Sequence, residues 1–234
     1  MSTNGSRKGR LYVVATPIGN LDDMTQRAVE VLRSCDVIAS EDTRRTRKLM
    51  ARYSIDTPLV SYHEHNEERA AVAFVERMVG GQCVALVSDA GTPLISDPGY
   101  RLVRLAAEEG LDVLSVPGPS AATAALSVSG LPPIPFRFEG FLPRKPGARL
   151  RRLEGLADVD ATLVFYVSPH RAVAVLRDMY DALGDRPAAL ARELTKVHEE
   201  VLRGTLSELA DGASARPPRG EIVVVVEGRR KQRG

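Results

Sequence analysis

The alternation of short apolar runs with helix-periodic ones across the first half of the chain most constrains its fold. Apolar runs of strand length occupy residues 11–15, 36–39, 58–61, 83–87 and 112–116, and helical patterns fill the gaps at 24–33, 43–53, 67–78, 98–109 and 120–129. Strands joined by helices of this length pair in parallel, because a parallel connection must cross the sheet. This predicts a mostly parallel sheet covered on both faces, with its binding crevice at the C-terminal ends of the strands.

The segment LPPIP (131–135) holds three prolines in five residues, so it neither continues a helix nor fills a central strand. A domain boundary is expected there, giving an N-terminal domain over 10–133 and a C-terminal domain over 136–228. The pattern restarts at 136–141, followed by a basic helix at 148–156, a strand at 162–167 and a helix at 171–183. Strands at 188–193 and 222–227 close the second half, with 201–210 between them. The last strand, IVVVVEG, is apolar at consecutive positions, as burial on both faces requires. Two α/β domains are the expected architecture, with frayed polar tails at 1–10 and 228–234.

A 44% hydrophobic content is enough for a core that needs no staples. Cys35 and Cys83 sit in apolar stretches, which points to reduced, buried thiols. The polar start and the short apolar run after it resemble no secretory signal, and no stretch is long enough to span a bilayer; a soluble, cytoplasmic protein is expected. Net charge is only +2, so any attraction for nucleic acid must come from local clusters.

Three strand ends break into small-residue or proline-bearing loops: TPIGN (16–20), SDAGTP (88–93) and PGPSAATAA (117–125). Such loops bring backbone N–H and C=O groups close to a ligand, though tight turns demand the same residues for their own sake. Neither the dinucleotide fingerprint nor the P-loop motif is present. Two charged loops follow other strands. SEDTRRTRK (40–48) sets Arg44, Arg45, Arg47 and Lys48 together in a pattern that suits phosphates, while Ser40 and Asp42 also read as helix caps. SYHEHNEE (61–68) carries His63 and His65, which with His198 lack the spacing of a metal site; no metal is expected.

FLPRKPGARLRR (141–152) concentrates Arg144, Lys145, Arg149, Arg151 and Arg152 near Arg137 and Phe141, either as an RNA-facing surface or as a solvated helix face. FYVSPHR (165–171) adds Arg171 at a strand end. ARELTKVHEE (191–200) places Arg192, Glu193, Lys196, His198 and Glu199 within eight residues.

TPIGNLDD, SEDTRRT, SYHEHNE, SDAGTPLISDPG, VPGPSA, FEGFLPRK, SPHR, RELTKVHEE and RGTL, taken in this order, resemble the 16S rRNA cytidine 2'-O-methyltransferases of the tetrapyrrole methylase superfamily. The resemblance runs from about residue 10 to residue 228. It implies two α/β domains with S-adenosyl-L-methionine in a cleft between them, a homodimer, and methylation of a cytidine ribose at the decoding centre of 16S rRNA or of the assembled small ribosomal subunit. Carried onto this sequence, the cofactor contacts are Pro17 and Gly19, then Ser88, Asp89, Ala90, Gly91 and Thr92, then Ser120 and Ala121, with Tyr166, Val167 and Ala191 in the second domain. The first loop has TPIGN where the wider superfamily has a glycine-rich form ending in Asp, which argues against porphyrin substrates. RNA contacts fall to Arg44, Arg45, Arg144, Lys145, Arg149 and Arg171.

A ribose hydroxyl becomes a good nucleophile only as its proton leaves, so a base or a positive group beside the forming alkoxide is expected. Glu193 and Lys196 are the candidates. The same two residues equally suit a mutual ion pair. Two rival readings remain: a relative acting on a small tetrapyrrole or a protein side chain, and a catalytically silent RNA-binding factor.

Overall fold

The computed structural model describes residues 9–229, and the expectation for the tails lies mostly outside them. The chain divides into two compact units, the first ending at Ser120 and the second beginning at Ala121.

The first unit contains β1 (Arg10–Val14), β2 (Val37–Ser40), β3 (Leu59–Ser61), β4 (Cys83–Val87) and β5 (Asp112–Val116), in the sheet order β3-β2-β4-β1-β5. Every pairing is parallel. Alternation along β4 divides the core. Ala85 and Val87 join Ala28, Leu32, Leu49 and Met50 of α1 (Gln26–Ser34) and α2 (Thr43–Arg52), whereas Val84 and Leu86 join Phe74, Met78, Leu102 and Ala106 of α3 (Glu67–Val79) and α4 (Tyr100–Glu108). Both faces are thus covered, as the strand–helix alternation predicts. The side chain of Thr25 caps α1 by accepting from Ala28 N–H, and Asp42 caps α2 by accepting from Arg44 N–H.

The second unit is mixed rather than parallel. Its strands are β6 (Phe136–Phe141), β7 (Thr162–Val167), β8 (Pro187–Arg192), β9 (Glu200–Thr205) and β10 (Ile222–Val226), in the order β6-β7-β10-β8-β9. Only β6 and β7 pair in parallel. One face packs on α6 (Pro146–Glu154), α7 (Ala172–Leu183) and α8 (Leu206–Ala215) through Leu163, Phe165, Val167, Leu190, Val224 and their neighbours. α5 (Ala121–Ser129) packs against β7, β8 and β10 of this same sheet and contributes nothing to that core cluster, so it covers the opposite face.

The division at Ser120 falls short of the boundary expected at the prolines. The buried face of α5 is small apart from Leu126, and its Ala122, Ala125 and Ser129 let the helix lie close on the second sheet. The proline segment then leads directly into β6, with Thr162 N–H and Oγ1 donating to the Pro135 and Pro132 carbonyls. Segment 201–210 splits into the end of β9 and the start of α8. The helix opens on a capping box in which Thr205 and Glu208 satisfy each other's backbone N–H groups.

Candidate functional site

Because every strand of the first sheet runs the same way, the loops after β1, β2, β4 and β5 emerge at one edge. Three of them are tied together. Thr16 and Gly91 exchange backbone hydrogen bonds of 2.8 and 3.0 Å. Thr16 Oγ1 also donates to the Ser88 carbonyl at 3.3 Å, and Thr92 Oγ1 donates to the Pro119 carbonyl at 3.2 Å. Gly91 adopts φ +82°, where a Cβ would meet Ile18 Cγ2 at 3.4 Å in a conformation that L side chains rarely adopt. Within this cluster Pro17 and Ser88 are buried, Asp89, Ala90, Thr92 and Ser120 half-buried, and Gly19 exposed. The edge therefore presents backbone and small side chains rather than a crowd of long ones.

The loop after β2 joins the cluster from the side. Asp89 Oδ1 accepts from Asp42 N–H at 3.0 Å, and Asp89 Oδ2 lies 3.4 Å from Arg45. Two carboxylates absent from the sequence-derived site belong here, Glu41 and Asp97. Burial, and next the charge of Asp89, push the Glu41 carboxyl above its ordinary range. Burial, reinforced by Glu41 and Asp89, pushes Asp97 up to about 6, although a hydrogen bond with Ser88 opposes the shift. The backbone around Asp97 is strained: Leu94 and Ser96 adopt φ +73° and +70°, and Gly99, at φ +140°, has no room for a Cβ between Leu86 and Leu94. The sequence holds one signal for this loop, the second Ser-Asp in SDAGTPLISDPG, which reads as turn chemistry when taken alone.

In the second unit Tyr166, Ala191 and Val223 lie in register on the α5 side of the sheet. The Tyr166 ring meets Phe138 and Phe141 edge-on at centroid distances of 4.9 and 5.5 Å. Val167 points the other way, and its side chain belongs to the core, leaving only its backbone for a ligand. Ala121 is half-buried at the start of α5.

Glu193 and Lys196 are paired, Nζ to Oε1 at 2.8 Å, and Lys196 also reaches Glu221 at 3.1 Å. Glu193 Oε1 accepts in addition from Glu221 N–H at 2.9 Å. The turn that holds them carries Glu193 and Thr195 at φ +51° and +67°. Hydrogen bonds from Lys196 and then from the Glu221 amide hold the Glu193 carboxyl below the glutamate range. Burial lowers the Lys196 pKa, but its hydrogen bonds to Glu193 and Glu221 outweigh this and keep the ammonium above the ordinary lysine value. The arrangement makes Glu193 a poor base and Lys196 a fixed positive charge.

The basic residues sort by environment. Arg44, Arg45, Arg144 and Lys145 are exposed. Arg149 departs from the expected RNA surface: its side chain is 5% exposed and pairs with Asp178 at 2.5 Å while also donating to the Arg144 carbonyl. Its spacing from buried Leu153, four residues on, places both on the inward stripe of α6. Arg137 and Arg152 are likewise engaged, both with the buried carboxylate of Glu139. Arg171 sits just before α7 with one guanidinium nitrogen buried and without a hydrogen-bond partner among the described residues.

Residues 10–210 match the family model of the tetrapyrrole (corrin/porphyrin) methylases. The chain is 56% identical to the ribosomal RNA small subunit methyltransferase I of Mesorhizobium japonicum, over 92% of this chain and 74% of that protein. It is 50% identical to the protein of the same name from Bacillus subtilis, over 97% and 78%. Among solved structures, the uroporphyrin-III C-methyltransferase of Thermus thermophilus, solved with S-adenosylhomocysteine, shares the fold at a TM-score of 0.62, 21% identity and coverage of 94% and 97%. A conserved hypothetical protein of Aeropyrum pernix does so at 0.74, 20% identity and coverage of 96% and 86%. The chain belongs to the tetrapyrrole methylase family, on the branch of the ribosomal RNA small subunit methyltransferases I.

Proposed function

We propose that this chain transfers a methyl group from S-adenosyl-L-methionine to the 2'-hydroxyl of a cytidine ribose at the decoding centre of 16S rRNA. The observation that carries the reading is the cluster of turns laced by the Thr16–Gly91 pair, with Asp89 and Asp97 beside it.

The donor's chemistry fits this edge. It is cationic at sulfur and at its amino group, and the edge offers carboxylates whose ionisation burial opposes, which a cation would favour. Small residues leave room for backbone groups to bind a nucleoside and an amino acid. When bound, the donor supplies an electrophilic methyl carbon. Ser88, Asp89, Ala90, Gly91 and Thr92, with Pro17, Gly19 and Ser120, hold it in the first unit; the donor-binding candidates of the second unit are Ala121, Tyr166, Ala191 and the Val167 backbone. Placing the donor carbon and acceptor oxygen in line is the main requirement for the displacement. Lys196 stabilises negative charge growing on the ribose oxygen, and Glu193 positions that ammonium.

Arg44, Arg45, Arg144 and Lys145 hold phosphates, and a phosphate near Arg171 would satisfy its orphaned nitrogen. The reading extends to a cytoplasmic homodimer acting on 16S rRNA or on the assembled small subunit. Incubating the protein with labelled donor and small subunits from a strain lacking the enzyme tests it. The expected product is a label on one cytidine ribose, seen as a linkage resistant to alkaline cleavage. Label on a base, or no transfer to either subunits or naked 16S rRNA, would reject it.

A further inference from the structure

A cavity of about 560 Å³ opens in the second unit, within the range that accommodates a small ligand. None of the donor or catalytic candidates lines it. It lies on the other side of the sheet from Tyr166 and Ala191. Leu190 precedes Ala191 on β8 and therefore points to the α8 face, where its partner in register, Leu202 of β9, joins it. These two leucines, with Leu209 and Ala213 of α8, form an apolar floor.

The rim is cationic. The segment Arg216-Pro217-Pro218-Arg219 leads from α8 towards β10, and the two prolines restrict its backbone. Arg192 anchors it, donating from Nη1 to the Arg219 carbonyl at 3.3 Å and from Nε to Glu200 at 2.7 Å. The Arg192 charge is thereby met by Glu200, the acidic residue of the lining. Arg216 and Arg219 are exposed and form no ion pair among the described residues. Three guanidinium groups against one carboxylate leave the rim at net +2.

An apolar floor beneath unpaired arginines matches a planar base attached to a phosphate. Guanidinium groups engage phosphate oxygens and stack on the faces of unpaired bases, and a base laid against aliphatic side chains gains by removing apolar surface from water. Two of the lining residues, Arg192 and Arg219, flank the sheet edge where β8 ends and β10 begins, the edge that carries Glu193 and Lys196. We propose that this cavity is a subsite for an unpaired nucleotide of the RNA substrate flanking the methylated one, with its base on the leucine floor and its phosphate at Arg216 and Arg219. The proposal rests on the RNA-methylating reading above.

Two variants separate its parts. Arg216→Ala/Arg219→Ala removes the phosphate ligands. Gly212→Leu fills the cavity, since a Cβ on this α8 glycine meets nothing within 4 Å. Binding to unmethylated small subunits and to naked 16S rRNA is measured across a salt series, together with methyl transfer, donor affinity by calorimetry and thermal unfolding. The double variant is expected to bind both RNAs about tenfold more weakly, with a salt slope shallower by about 1 to 2. Gly212→Leu should weaken binding about threefold or more at unchanged slope, because room and apolar contact rather than charge are lost. Donor affinity should stay at the wild-type value in both, and unfolding temperature should not fall in either, Gly212→Leu raising it slightly because Gly is a poor helix former.

If wild type methylates the subunits and both variants bind like it with the same slope, the subsite is overturned and the methyltransferase reading stands. A defect confined to assembled subunits and absent on naked RNA overturns the nucleotide assignment in favour of a ribosomal protein contact. Wild type that neither binds nor methylates either RNA overturns the subsite together with the reading beneath it.

Discussion

The turn edge of the first unit and the turn after β8 in the second both crowd carboxylates onto strand ends, yet they settle that charge in opposite ways. At the first edge Glu41 and Asp97 are driven above their ordinary ranges by burial and then by neighbouring carboxylates, Asp89 for Glu41 and Glu41 for Asp97. After β8, Glu193 and Glu200 are held below theirs by hydrogen bonds from Lys196 and Arg192. The second turn already owns its cations, so it is a finished electrostatic structure that presents a fixed positive charge. The first leaves charge for a cationic ligand to complete. Burial without a full set of partners marks a place that binds, and a satisfied network marks a place that positions.

Removing the cation that completes the second turn should have the largest effect. Lys196→Ala is expected to lower the single-turnover methylation rate about a hundredfold, in line with the loss of one preorganised electrostatic group. Affinity for RNA should change less than about threefold, as a single phosphate contact would at most produce. Lys196→Arg should recover part of the rate, since the charge remains. A rate unchanged in Lys196→Ala would remove the turn from the mechanism and reduce its ion pair to a structural feature.

Next in size is Gly91→Val, which attacks the first edge through its backbone. A β-branched residue at φ +82° is strained, and its branch methyls extend beyond a Cβ already in contact with Ile18, so the Thr16–Gly91 pair must shift. Donor affinity measured by calorimetry should fall about thirtyfold, because misplacement on the ångström scale degrades a preorganised site. None of the basic side chains assigned to phosphates is replaced, so RNA affinity should hold. An equal loss of both would mean that the variant has unfolded rather than lost its cradle, which thermal unfolding would reveal.

Local pattern and global pairing explain what the sequence discloses. The strands Cys83–Val87 and Thr162–Val167 lie where hydropathy puts them, because each is an almost continuous apolar run bounded by polar residues, and Asp112–Val116 is found as well although Asp112 and Ser115 interrupt its apolar pattern. The parallel first sheet follows from its helical connections. The mixed second sheet does not, since adjacency of β10 to both β7 and β8 depends on long-range pairing. β9 is missed because its half-exposed residues run without a break into α8. The small-residue loops are legible as motifs, whereas the acid cluster is not. Glu41 and Asp89 follow β2 and β4, which are neighbours only in the sheet order, and nothing local announces that Asp97 folds back upon Ser88. Arg149 shows the reverse error, a buried ion pair concealed within a run of surface charge.

The smallest expected effect is on stability, and its sign sharpens the contrast between the two edges. Asp97 titrates near 6 in the folded chain against 3.8 unperturbed. Between those values the unfolded chain has given up a proton that the folded chain keeps, so stability falls as pH rises through this window and is level above it. Glu193, depressed by its partners, contributes stability that is present above the glutamate range and lost as pH falls below it. Asp97→Asn should therefore stabilise the protein by about 1 kcal/mol at neutral pH, a figure reduced for the solvent that reaches the group. The gain should disappear below the ordinary aspartate range, as urea unfolding across pH would show. The same change should weaken donor binding and abolish its dependence on pH near 6, since a cation binds best once Asp97 has ionised. Stability rising while donor affinity falls is the signature of a carboxylate kept buried for its ligand. If Asp97→Asn instead destabilises the protein at every pH and spares donor binding, Asp97 is a structural residue and the two edges do not differ in kind.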